Sequence, residues 1–157
     1  MIYLDHAAST PIAESVLQEM LPYLKENYGN PSSIHRFGRI ATKAIESARK
    51  RVAELVGANP AEILFTSGGT ESNNTAIRGI MNQNRSRQLI TTSIEHDAIL
   101  EPCKKLESLG FDVVYLPVDS TGLVDMSKLE SAISEKTALV SVMLANNEVG
   151  TIQPISE

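Results

Sequence analysis

The chain has 157 residues, 42% of them hydrophobic, and 14 basic against 19 acidic side chains give it a net charge of −5. That apolar content suffices for one buried core, and the acidic balance excludes the basic footprint of a nucleic-acid binder. No apolar run reaches the length of a membrane span, and Met1-Ile2-Tyr3-Leu4-Asp5 lacks the features of a signal peptide, so a cytoplasmic location with no membrane partner is expected. The single cysteine, Cys103, excludes an internal disulfide and a multi-cysteine metal cluster, and three scattered histidines offer no metal-ligand spacing.

In chain order, residues 14–26 place Val16, Leu17, Met20, Leu21 and Leu24 on one helical face, with Pro22 expected to divide or bend the helix. Residues 1–30 therefore read as an N-terminal helical arm. The turn-rich loop Tyr28-Gly29-Asn30-Pro31-Ser32-Ser33 has polar groups expected to find partners from elsewhere in the structure. A second helix over 37–56 carries Ile40, Ala44, Ala48, Val52, Leu55 and Val56 and ends at Gly57. Its basic run Arg49-Lys50-Arg51 reads as a solvated face.

Beyond it the period alternates. Strands are expected at 62–66, 88–92, 112–116 and 137–144, separated by helices near 70–82, 97–109 and 126–134. Those lengths suit β-α-β crossovers, so the fold class is α/β, with a largely parallel sheet flanked by helices over residues 31–157. Leu100, Cys103, Leu106 and Leu109 share an amphipathic segment, where Cys103 reads as a small buried thiol. At the end, Ser156-Glu157 has the chemistry of a helix start with no helix after it, so the chain is expected to be the N-terminal part of a larger protein.

The stretch Phe65-Thr66-Ser67-Gly68-Gly69-Thr70-Glu71 passes from an apolar run through two glycines into a helix. Such a turn is an anion cradle, because the first N–H groups of a helix lack partners and sit at the positive end of its dipole, and glycine lets a phosphate approach the backbone. An ordinary strand-to-helix turn capped by Ser67 or Thr70 is the competing reading. Three polar clusters, 67–70, 93–96 and 145–148, follow expected strands. In an open α/β sheet the carboxyl ends of the strands line the ligand crevice, so folding would gather these clusters on one edge. A phosphate cradle, an imidazole and an amide together imply a phosphorylated ligand with a further polar or aromatic part. The glycine pattern is neither a P-loop nor a dinucleotide fingerprint.

Five segments in order, Tyr3-Leu4-Asp5-His6-Ala7-Ala8-Ser9-Thr10-Pro11, Gly29-Asn30-Pro31-Ser32-Ser33-Ile34-His35, Phe65 to Asn74, Glu95-His96 and Asn146-Asn147-Glu148-Val149-Gly150, resemble cysteine desulfurases of the NifS/IscS group, within the class V aminotransferase superfamily. The resemblance implies the large domain of a fold-type I enzyme that uses pyridoxal 5′-phosphate (PLP). Such an enzyme takes sulfur from L-cysteine, leaving L-alanine and an enzyme persulfide that supplies Fe–S clusters and other thio-cofactors. Carried over by position, Gly69 and Thr70 would hold the PLP phosphate. His96 would stack on the pyridine ring and assist proton transfer, and Asn147 would reach the ring hydroxyl or the substrate carboxylate. The loops at 6–11 and 29–35 would lie near the active-site entrance or a dimer contact.

The bland readings are that His96 caps a helix, that Asn147 satisfies loop backbone, and that Glu71 and Glu148 are helix-start or loop residues. A lysine must hold PLP, and in the family it follows Ser-x-His. None of Lys25, Lys43, Lys50, Lys104, Lys105, Lys128 or Lys136 does so. In the family that lysine, the persulfide cysteine and the substrate arginine lie beyond the matching stretch. The resemblance therefore implies a C-terminal portion of the enzyme as partner, covalent or separate. It also implies a homodimer and a sulfur-acceptor or Fe–S scaffold protein, with the chain inactive alone. The alternatives are a non-catalytic fragment or interaction domain, and another class V enzyme such as a selenocysteine lyase.

Overall fold

The computed structural model describes residues 2–83 and 88–156, which fall into two compact units, Met1–Phe65 and Thr66–Glu157. In the first unit, helix α1 (Glu14–Lys25) precedes the longer α2 (Arg36–Val56), and a 3-10 turn follows at Pro60–Glu62. The expected arm boundary at residue 30 falls inside this unit, between its two helices. Pro22 does not divide α1. It lies in the last turns, and its own carbonyl accepts the N–H groups of Glu26 at 2.9 Å and Asn27 at 2.8 Å. Helix α2 ends as its sequence requires: Gly57 takes the left-handed φ of 68°, and the Ala58 N–H bonds to the Ala53 carbonyl at 2.9 Å.

The loop ahead of α2 finds several partners locally rather than from distant elements. Asn30 Oδ1 accepts the Ser32 N–H at 2.9 Å, the Ser33 N–H bonds to the Asn30 carbonyl at 3.0 Å, and Thr42 Oγ1 donates to the Pro31 carbonyl at 2.7 Å. This folds the loop backbone onto the first turn of α2. A Cβ at Gly38 would stand 2.0 Å from the Ser33 carbonyl oxygen and 2.7 Å from that of Asn30. Backbone cannot yield to such a contact, so Gly38→Ala is expected to destabilise the chain by about 1–3 kcal/mol in thermal unfolding. Gly79→Ala, where a Cβ meets nothing within 4 Å, is expected to act in the opposite direction by about 0.5–1 kcal/mol.

The second unit alternates α3 (Gly69–Gln83), β1 (Gln88–Thr92), α4 (Asp97–Ser108), β2 (Asp112–Leu116), α5 (Met126–Ala132) and β3 (Thr137–Ser141). The sheet order is β2-β1-β3 and both pairings are parallel, with Gln88 opposite Asp112 and Thr92 opposite Leu116. Successive side chains on β1 point to opposite faces. Leu89 packs with Ile77 and Met81 of α3 and with Ile99, Cys103 and Leu106 of α4. Ile90 packs on the other side with Leu116 and Val124, against Met126 and Leu129 of α5. Helices thus cover both faces of the central strand, and all three strands deliver their carboxyl ends to one edge.

Two expected strands need correction. Residues 62–66 form no strand: Pro60–Glu62 is a 3-10 turn closed by a capping box between Asn59 and Glu62. Ile63 is extended (φ −94°, ψ 121°), and its carbonyl accepts from the Arg49 guanidinium instead of a neighbouring strand. An apolar run supplies strand propensity, but a ladder also needs a partner backbone, and none is present among the described residues. Strand β3 stops at Ser141 rather than at residue 144, because the Met143 N–H turns to the Glu95 carboxylate at 2.6 Å. Ile155 and Ser156 form a turn, while Glu157, the acidic residue of the expected helix start, lies outside the described residues.

Candidate active site

The candidate site lies in the second unit, where α3 begins and where β1 and β3 end. Helix α3 opens at Gly69, and the Ser72 N–H bonds to the Gly68 carbonyl at 3.1 Å, which puts glycine at the cap position. Neither Ser67 nor Thr70 acts as the cap. Ser67 is turned to Glu71, whose Oε2 accepts both its N–H and its hydroxyl at 2.6 Å and whose carboxyl is held below its ordinary value by those bonds. Thr66 and Ser72 hydroxyls pair with each other at 2.7 Å. With these oxygens committed elsewhere, the N–H groups of Gly69, Thr70 and Glu71 and the Thr70 hydroxyl have no partner among the described residues. Three N–H donors at the positive end of a helix, with one hydroxyl beside them, match the acceptor oxygens of a phosphate group.

A Cβ at Gly68 or Gly69 would meet nothing within 4 Å, so the protein itself does not demand glycine there. Gly69→Ala is expected to leave the unfolding midpoint within about 0.5 kcal/mol of the parent.

His96 follows β1 and opens α4. Its Nδ1 accepts the Ala98 N–H at 3.0 Å, and its carbonyl accepts from Ile99 at 2.8 Å and Leu100 at 3.1 Å. The capping role is therefore real, but it uses one ring nitrogen. With Nδ1 accepting, the neutral imidazole carries its proton on Nε2, and the exposed ring leaves that N–H available. Thr70 and His96 line the same open groove of about 360 Å³ between α3 and α4, together with Asn74, Arg78, Asp97, Ala98, Glu101 and Pro102. Gly69 and Asn147 are not among the residues that line this groove.

The asparagine pair divides its work. Asn146 is buried, and its Oδ1 accepts the N–H groups of Glu148 at 2.8 Å and Val149 at 2.9 Å. The role of satisfying loop backbone, open for Asn147 from sequence, thus belongs to its neighbour. Asn147 is exposed, and its amide has no partner among the described residues. Gln153, 2% exposed, ties this loop down by accepting the Val124 N–H at 3.0 Å and donating to the Gly122 carbonyl at 2.7 Å. Nothing in the sequence singles out Gln153, a polar residue between Ile152 and Pro154 in a tail that also carries Thr151, Ser156 and Glu157.

Cys103 is fully buried, as expected, and burial with the nearby charges of Glu107 and Glu95 pushes its thiol up to about 11. It is no nucleophile at neutral pH. Glu95, beside His96, is also buried, and that burial raises its carboxyl above its ordinary value against opposing hydrogen bonds from the Met143 N–H and the Thr92 hydroxyl. A group raised on folding contributes stability that is present below its unfolded value and lost as pH rises through the folded value. From the ordinary value of 4.5 upward, the unfolding midpoint of the parent is expected to decline relative to that of Glu95→Gln. Urea titrations at a series of pH values check this, and a constant difference between the two proteins would contradict it.

Residues 2–157 match the family described as Aminotransferase class-V. The chain belongs to that family. This class-V chain is 53% identical over 158 residues to the cysteine desulfurase IscS of Dictyoglomus turgidum, a match covering 99% of this chain and 40% of that protein. It is 52% identical over 159 residues to the cysteine desulfurase of Homo sapiens, covering 99% of this chain and 35% of the other. Among solved structures, a NifS-like protein superposes with a TM-score of 0.93 at 47% identity, over 98% of this chain and 43% of that one. SspA in complex with cysteine gives 0.90 at 45% identity, over 98% and 45%.

The class-V chain therefore spans about 40% of the length of its first relative. The resemblance carried by the five motifs is borne out, and so is the parallel sheet flanked by helices. Membership implies PLP as the family's cofactor. No helix among the described residues is long and apolar enough to cross a membrane.

Proposed function

We propose that this chain supplies the phosphate-binding and ring-facing part of a cysteine desulfurase site. The observation that carries the proposal is the uncapped first turn of α3, whose Thr70 lines one groove with His96. When bound, PLP supplies the electron sink that lets the carbon–sulfur bond of a cysteine substrate be weakened. The N–H groups of Gly69, Thr70 and Glu71 with the Thr70 hydroxyl would hold its phosphate. His96 would lie on the ring and hold or move a proton at Nε2, and the free amide of Asn147 would orient the ring hydroxyl or the substrate carboxylate.

The substrate is L-cysteine, the products L-alanine and a persulfide sulfur. The structure of SspA with cysteine supports that substrate class. On this reading residues 1–30 form an arm and 31–157 the N-terminal portion of the cofactor-binding domain. A C-terminal portion brings the lysine and the persulfide cysteine. The assembled enzyme is a cytoplasmic homodimer that passes sulfur to an acceptor or Fe–S scaffold protein.

Amide NMR of the chain titrated with pyridoxal 5′-phosphate, with pyridoxal and with inorganic phosphate tests the cradle. Shifts at Gly69 to Glu71 are expected with the two phosphates and not with pyridoxal. Equal responses to all three, or shifts confined to other residues, would overturn the assignment. Alanine release from L-cysteine by the complete enzyme, compared with release from L-selenocysteine, tests the reaction.

A further inference from the structure

The Glu95-His96 and Asn146-Asn147 pairs share one arrangement: the first residue of each is buried at 7% exposure, and the second is exposed. The buried members bond across the gap between the two loops in both directions. Glu95 Oε1 accepts the Met143 N–H at 2.6 Å, so a side chain of the loop after β1 holds the backbone of the loop after β3. Asn146 Nδ2 donates to the Ile94 carbonyl at 3.0 Å, so a side chain of the second loop holds the backbone of the first. Each buried residue is also anchored within its own loop, Glu95 by the Thr92 hydroxyl at 3.3 Å and Asn146 by the Glu148 and Val149 N–H groups. Strands β1 and β3 are parallel neighbours, which brings both loops off the same edge of the sheet.

We propose that Glu95 and Asn146 are a reciprocal pair of positioning residues that lock the two loops together and so set the placement of His96 relative to Asn147. The proposal rests on the desulfurase reading for its catalytic consequence, but not for the lock itself. Neither residue faces the groove that Thr70 and His96 line, and neither touches the proposed ligand. Their work is done through the peptide bonds they share with His96 and Asn147. A displacement of one loop by about 1 Å would misplace its presented side chain, and errors of that size cost on the order of 100-fold in rate. The lock also explains why β3 ends where it does, since the Met143 N–H is withdrawn from the sheet to reach Glu95.

Asn146→Asp removes the cross-loop link to Ile94 together with the weak Nδ2 contact to Met143 Sδ at 3.3 Å, because the carboxylate keeps the acceptor for Glu148 and Val149 and loses the amide donor. Glu95→Ala removes the opposite link, and Glu95→Gln restores an acceptor of the same reach. In the chain itself, Glu95→Ala is expected to speed amide exchange at Met143 by about 10- to 100-fold, as loss of a hydrogen bond to a charged group requires. It should also shift the Asn147 side-chain amide resonances, while Asn146→Asp shifts the ring nitrogen resonances of His96. Glu95→Gln is expected to return both readouts close to those of the parent.

Effects confined to residues 92–98 in the Glu95 variants and to 143–150 in Asn146→Asp would overturn the lock. If Glu95→Ala does not fold, Asn146→Asp and the His96 resonances decide the question alone. In the complete enzyme, Asn146→Asp and Glu95→Ala are each expected to lower kcat for alanine release with KM for L-cysteine little changed, and Glu95→Gln to recover it. Loss of KM alone would overturn the positioning role. A parent enzyme that releases no alanine would sink the desulfurase reading, while the cross-loop resonances would still report on the lock.

Discussion

His96→Asn is expected to leave helix α4 as stable as in the parent and to lower the rate of alanine release by about 10²- to 10⁴-fold, the range over which a positioned acid or base acts. The two effects separate because the cap uses one ring nitrogen of His96 and the proposed proton-handling role uses the other. Its Nδ1 caps the helix by accepting the Ala98 N–H at 3.0 Å, and its Nε2 has no hydrogen-bond partner among the described residues. Asparagine is among the best N-cap residues and can place Oδ1 where Nδ1 stands, so the cap survives. It carries no ring nitrogen to hold or move a proton, so the proposed proton-handling role does not. His96→Ala, by contrast, should lose the rate and also about 0.5–2 kcal/mol of stability, the usual cost of removing a cap. Denaturation midpoints and alanine release on the same three proteins check both halves. If His96→Asn turned over like the parent, the histidine would be a cap and nothing more.

The cap on Nδ1, which leaves Nε2 for the proposed role, marks the limit of what the sequence alone could tell about this site. The position of His96, straight after a β-prone run and straight before an amphipathic helix, was legible because both signals are local. The turn that opens α3 was legible for the same reason, since two glycines between an apolar run and a helical period announce a backbone turn, but whether Ser67 or Thr70 would cap it was not. Strands β1 and β2 have the bounds that period and punctuation suggested.

What could not be read depends on partners distant in sequence. Residues 62–66 look like a strand wherever they occur, but propensity carries no information on whether a second backbone lies alongside. Strand β3 ended early because of a carboxylate 48 positions away. In Glu95-His96 and Asn146-Asn147 both members of each pair are polar, so no hydrophobic pattern told which would turn inward. The inward residue in each case is the one whose oxygens or amide meet the other loop's backbone, and that contact exists only after β1 and β3 have paired.

The same dependence on β1 makes Leu89→Ala the substitution expected to cost the most stability. Leu89 is completely buried on the central strand and packs against Ile77 and Met81 of α3 and against Ile99, Cys103 and Leu106 of α4. Truncating it removes apolar contact and leaves a cavity walled by two helices and a sheet, which cannot collapse together without moving the strand. Leucine-to-alanine changes at such sites cost about 2–5 kcal/mol. For a chain of this size that is a fall in Tm of roughly 5–15 °C. Leu64→Ala is the matched control, since Leu64 is 69% exposed and outside any strand, and it should stay within about 0.5 kcal/mol of the parent. Because Thr70 lies on the first turn of α3 and His96 caps α4, loosening their shared core should also weaken phosphate-dependent amide shifts at Gly69 to Glu71, even though Leu89 lies outside the groove. A Leu89→Ala chain melting within 1–2 °C of the Leu64→Ala control would mean that the two helices do not depend on β1 for their packing.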